Sequence, residues 1–131
     1  MVCLDTSFFV DYIRGRAEAQ VFLESLIESG EEISITTPTV FELIQGASLD
    51  KSTVIEKKRI LETVSYLNVL TLGLEESVLA GEIQASLILK GEQIGEIDVL
   101  IGAIARFNNQ RIITKNTKHF SKISGLVVES Y

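Results

Sequence analysis

The chain has a single cysteine, Cys3, so it can close no internal disulfide. A lone cysteine within an apolar run reads as a small buried hydrophobe of a reducing compartment, and the expected location is the cytoplasm. There is one histidine, His119. With so few sulfur and imidazole donors, a zinc centre is excluded. There is one proline, and 46% of the residues are hydrophobic, a composition that excludes a disordered or proline-rich chain. Apolar runs are short and interrupted, which argues against a membrane span. No basic region precedes an apolar stretch and a small-residue cleavage site, so no secretory leader is expected. A Gly-rich phosphate loop and a Gly-x-Ser-x-Gly elbow are both missing. Excess positive charge is missing too: the net charge of −6 argues against a broad electrostatic grip on nucleic acid.

What charge there is divides unevenly. Residues 1–98 hold 7 Lys/Arg against 17 Asp/Glu, and residues 99–131 hold 5 against 1. Arg106, Arg111, Lys115, Lys118 and Lys122 therefore fall in a stretch with almost no acid. Such a run is either a solvated face with scattered charge or a local basic rim beside an acidic site.

The length of 131 residues suits a single domain over 1–131 with one real core. Val2-Cys3-Leu4 has the continuous apolar character of a buried parallel strand. Ile33-Ser34-Ile35, Val69 to Leu72, Arg111 to Thr114 and Leu126 to Val128 read as further strands. Between them lie helical patterns: Phe8 to Ile13, a helix anchored by Ala19, Phe22, Leu23 and Leu26, and one with Val40, Leu43, Ile44 and Ala47 inward. Thr37 reads as the cap of that last helix and Pro38 as its first residue. A further helix turns Ile60, Leu61, Val64 and Leu67 inward, and Leu74 to Lys90 is anchored by Val78, Ile83 and Leu87. Ile97 to Phe107 is apolar on nearly every side, so it should be central. Alternating strands and helices predict an α/β fold: three α/β/α layers, doubly wound, around a mostly parallel sheet of about five short strands.

In such folds ligands bind at the carboxyl ends of the strands. Asp5 follows the first strand directly, where it is a helix cap or a site residue. Glu42 sits early in the Pro38 helix. Thr39-x-x-Glu42 fits a capping box, but a cap at Thr37 leaves Glu42 too deep for that role and favours a site. Asp98 opens the apolar 97–107 helix, and Gly102 and Ala105 share its face. The helix dipole accounts for part of its stabilisation there, and a cation would account for more. Three ionised carboxylates in one crevice need a cation or raised pKa values. An oxygen-only set suits Mg²⁺ or Mn²⁺. Such an ion beside a basic rim fits phosphodiester hydrolysis. Receiver-like and haloacid-dehalogenase-like domains also carry an acid after an early strand, but Asp5-Thr6-Ser7 lacks the Asp-x-Asp of the latter.

Four segments together resemble PIN-domain ribonucleases, specifically VapC-type toxins of toxin–antitoxin pairs. They are Leu4-Asp5-Thr6-Ser7, residues 37–47 around Glu42, residues 95–103 around Asp98, and Ile113 to Phe120 followed by Gly125-Leu126. The resemblance spans nearly the whole chain. It implies metal-dependent endonucleolytic cleavage of RNA, a cognate antitoxin and a homodimer. It further implies that Asp5 and Asp98 ligate Mg²⁺ or Mn²⁺, and that Glu42 binds the ion or orients the attacking water. Thr6 or Ser7 would hydrogen-bond Asp5 or a bound water, and Lys115 and Lys118 would contact the RNA backbone. The sequence departs at the family's fourth acid, where Asn116 and His119 stand. A catalytically silent PIN-like interaction module is the alternative that this departure leaves open.

Overall fold

The computed structural model describes all of residues 1–131. Its strands are β1 (Val2–Leu4), β2 (Ile33–Thr36), β3 (Asn68–Leu70), β4 (Arg111–Ile113) and β5 (Val128–Glu129). Its helices are α1 (Thr6–Ile13), α2 (Ala17–Glu28), α3 (Thr37–Ser48), α4 (Thr53–Ser65), α5 (Leu74–Lys90), α6 (Glu96–Phe107) and α7 (Thr117–Phe120). The strands pair in the order β3-β2-β1-β4-β5. Every pair is parallel, not merely most of them. From β1 the chain winds outward through β2 to β3, then crosses back to β4 on the other side. The winding reverses between β1 and β4, and a crevice opens at such a switch point.

Successive strand residues face opposite sides of the sheet. Val2, Leu4, Ile35 and Ile113 accordingly join Phe8, Phe9, Leu26, Leu43 and Ile60 in one core, under α1 to α4. Cys3 faces the other way, onto Ile104 and Ala105 of α6. Ile112 lies with the residues of α5 and α6 in the second core. Both faces of the strands are thus buried, which is why they read as unbroken apolar runs. Each fully buried Leu, Ile or Phe contributes roughly 1.5–3 kcal/mol.

Several local expectations shift. Thr36, not Thr37, caps α3: its Oγ1 accepts from the Thr39 amide at 3.2 Å, and Pro38 follows in the first turn. Glu42 is still too deep to take part in that cap. Leu61 and Val78 are exposed, because their helices have solvent on the side where a wider apolar stripe was read. The third strand ends at Leu70 and the fifth begins only at Val128. The short helix α7 was not foreseen, since four residues carry no readable period. Gly102 opens no space for a ligand: a Cβ there would stand 2.3 Å from Ile123 Cδ1, so the glycine permits close packing instead. No helix is long and apolar enough to cross a membrane.

Candidate active site

Asp5 stands one residue beyond β1, and its amide extends the ladder by donating to Ile113 O at 3.1 Å. Its backbone is extended and its side chain accepts from the Ser7 amide, so it caps α1. Cap and site residue are therefore compatible here. Oδ2 takes every hydrogen bond offered: Thr114 Oγ1 at 2.7 Å, Ser7 Oγ at 2.9 Å and the Ser7 amide at 3.4 Å. Oδ1 takes none. The side chain is buried. That burial pushes its carboxyl above the ordinary value, against the pull of the Thr114 and Ser7 hydrogen bonds, and the Asp98 charge adds to the rise.

Glu42 lies on the second turn of α3, half-buried, and its Oε1 accepts from Thr6 Oγ1 at 2.6 Å. Thr6 Oγ1 also lies 3.3 Å from Thr39 Oγ1, which takes a hydrogen bond from Thr36 at 3.1 Å. This threonine chain ties the start of α1 to the start of α3. Oε2 of Glu42 is unengaged. Desolvation raises the Glu42 carboxyl and outweighs the Thr6 bond, with Asp98 and Asp5 raising it further.

Asp98 reaches the same edge by a different route. Its helix follows a loop after α5 rather than a strand. Because α6 runs back antiparallel to β4, its first turn lies at the carboxyl end of the sheet. Asn116 Nδ2 donates to Asp98 Oδ2 at 3.2 Å, and His119 Nδ1 lies 2.9 Å from the same oxygen. His119 Nδ1 also lies 2.9 Å from Asn116 Nδ2, so the three side chains form one polar cluster. Asn116 and His119, which stand where a fourth acid was expected, thus hold the third.

The three carboxylates lie near enough at this edge to feel one another's charge. They are not drawn into a closed cage: no three acid, histidine or cysteine side chains converge tightly enough to enclose an ion. Each is instead pinned through one oxygen and leaves the other free. Burial first, and then the neighbouring acids, disfavour the ionised forms of Asp5 and Glu42, and hard carboxylate oxygens under that strain are a donor set that fits a divalent cation.

The basic run resolves mostly into scattered charge. Arg111 sits at the opposite end of β4, paired with Glu31 at 2.9 Å and Glu129 at 2.8 Å. The Lys115 ammonium is held between Asp11 and Glu18, each at 3.0 Å, and lies 5.1 Å from the centre of the Tyr131 ring. It is already neutralised, so the backbone contact expected of Lys115 meets two competing acids. Lys118 is exposed and makes no ion pair. Thr114 and Tyr131 went unnoticed in the sequence as site residues, and Thr39 was read only as a cap candidate. Thr114 had a legible signal, since it ends β4 as Asp5 ends β1. Tyr131, whose hydroxyl lies 2.8 Å from Asp11 Oδ2 and 3.1 Å from Ser7 O with one proton to donate, had none.

Fold and site together define a doubly wound parallel α/β domain with a carboxylate crevice at its switch point. Its sequence matches the model of the PIN domain family over residues 2–126. The chain belongs to the PIN-domain family. It is 31% identical over 121 residues, 92% of each chain, to a Mycobacterium tuberculosis protein named ribonuclease VapC19. It is 31% identical over 130 residues, 98% of this chain and 96% of the other, to a Shigella flexneri protein named tRNA(fMet)-specific endonuclease VapC. Among solved structures it resembles VapBC2 from Rickettsia felis bound to a promoter DNA fragment, with a TM-score of 0.91 and 27% identity over 100% of this chain and 99% of that one.

Proposed function

We propose that this chain is a metal-dependent endoribonuclease, the toxin of a toxin–antitoxin pair. The observation that carries the reading is the crevice of three carboxylates, each anchored through one oxygen with the other free. Asp5 and Asp98 would hold a Mg²⁺ or Mn²⁺ ion, with Glu42 beside it. A divalent ion supplies Lewis acidity toward water and phosphate oxygens. Glu42, with its raised basicity, takes the proton of the attacking water on Oε2, while Thr6 keeps Oε1 fixed. Ser7 and Thr114 fix Asp5; Asn116 and His119 fix Asp98. Lys118, and Lys115 once released from its acids, contact the RNA backbone. The relatives' names support RNA as substrate, and the VapBC neighbours support a cognate antitoxin.

An apolar groove of about 610 Å³ between α2 and α4, lined by Phe9, Leu23, Ile27 and Leu67 and rimmed by Glu31, Glu32 and Glu62, suits an apolar antitoxin segment with basic flanks. Helices α4 and α5 leave Val54, Ile55, Leu74 and Leu89 exposed, which supports self-association into a homodimer.

The test is cleavage of single-stranded RNA with and without Mn²⁺. The wild type cleaves only with metal, and the double variant Asp5→Asn, Asp98→Asn does not. Undiminished cleavage by the double variant sinks the assignment. The open cage, and Asn116 and His119 in place of a fourth acid, favour one second reading, a silent interaction module. Calorimetric titration with Mn²⁺ at neutral pH separates the two: the module takes up no ion.

A further inference from the structure

A second cavity, of about 370 Å³, opens beside Glu42 and runs along α3 toward Asp50. Its volume falls in the range of small-molecule sites, roughly 300–1,000 Å³. The walls are apolar, supplied by Val10 and Ile13 of α1, Leu43 and Ala47 of α3, and Ile60 of α4. Arg14, Asp50 and Glu56 line it as well. Arg14 is exposed and pairs with no carboxylate, and Glu56 is held only loosely, 3.7 Å from Arg59. Asp50 spends Oδ1 on the Ser52 amide at 3.1 Å and keeps Oδ2 free.

Gly46 lines this cavity one helical turn beyond Glu42. Glycine weakens a helix relative to alanine. Nothing in the fold requires it here, since a Cβ would meet no atom within 4 Å and its φ lies in the ordinary range. The missing side chain leaves the cavity open between Glu42 and Asp50.

We propose that this cavity is a base-binding subsite for a guanine nucleotide next to the scissile bond. The inference rests on the nuclease reading. Single-stranded RNA is recognised by burying splayed bases and bonding their edges. The apolar walls bury a ring. Arg14 meets a phosphate. Guanine offers two adjacent donors, N1–H and the 2-amino group, and a carboxylate such as Asp50 or Glu56 accepts both side by side. Uracil offers one donor flanked by two carbonyl oxygens, which a carboxylate repels.

The probes are guanosine and uridine 5′-monophosphate, titrated into the full chain without metal and followed by amide NMR. GMP shifts the Gly46 and Ala47 amides and binds at least about fivefold tighter than UMP, the lower end of what one bidentate base contact supplies. Asp50→Asn and Glu56→Gln together bring the two affinities level. On RNA, Gly46→Phe plugs the cavity and redistributes cleavage away from bonds next to guanine. Equal affinities, or shifts confined elsewhere, overturn the proposal. So does a Gly46→Phe variant that loses only its antitoxin and still cuts the same bonds, which makes the cavity a partner's seat. Should Gly46→Phe not fold, the GMP and UMP titrations of the wild type and the Asp50/Glu56 variant still decide. If no RNA is cut by the wild type but GMP still maps to Gly46, the nuclease reading fails alone.

Discussion

Replacing Asp5 by asparagine separates the structural work of this side chain from its work as a ligand. The substitution keeps the shape and removes the charge. Asp5 is only 3% exposed, and burial already raises its carboxyl above the unfolded value. The fold therefore disfavours the ionised form, even with three hydrogen bonds to Oδ2. The unfolded chain loses its proton first as pH rises, so the metal-free wild type loses stability from the ordinary carboxylate range up to the raised folded value. Above that range the loss is complete. Asp5→Asn is free of it, and the Thr114 and Ser7 hydroxyls can turn to suit an amide. Without metal at pH 7 the variant should melt no lower than the wild type.

Metal reverses the order. An ion at one hundred times its dissociation constant stabilises the folded state by about 2.7 kcal/mol. For a chain of 131 residues that is a rise in Tm of about 10 °C. The variant, lacking the anionic ligand, should show a small fraction of it. Differential scanning calorimetry with Mn²⁺ and with chelator, at several pH values, measures both effects. The reasoning is refuted if Asp5→Asn melts well below the chelated wild type, or if it keeps the full metal shift.

Two other consequences concern the core. Gly102→Ala drives a methyl against the buried Ile123, Leu126 and Phe120, so overpacking should cost about 1–3 kcal/mol in urea melts; an unchanged midpoint would mean that Ile123 moves aside freely. Cys3 is wholly buried and its thiol is pushed up to about 12, first by burial and then by the Asp5 charge. Iodoacetamide should leave it unmodified in the native protein and alkylate it in denaturant, with mass spectrometry as the readout.

The sequence by itself determined what is local. Helix α5 was readable to the residue, because Gly91 stops it in the left-handed conformation and an apolar period runs the length of it. Asp5 was readable as an acid at an element start, since an apolar strand followed by an acid and a cap is a pattern of a few neighbours. Tertiary structure alone decided the rest. Strand order put Thr114 beside Asp5 across 109 positions of chain, and no short window contains such a pair. Asp98 came to the crevice through the antiparallel run of α6, not through a strand of its own. Lys115 was spent on Asp11 and Glu18, and Leu61 and Val78 were left in solvent, because a side chain's partners are set by which elements pack together. Periodicity fixes which face of a helix is apolar; only packing fixes how much of that face is covered and which charges meet across it.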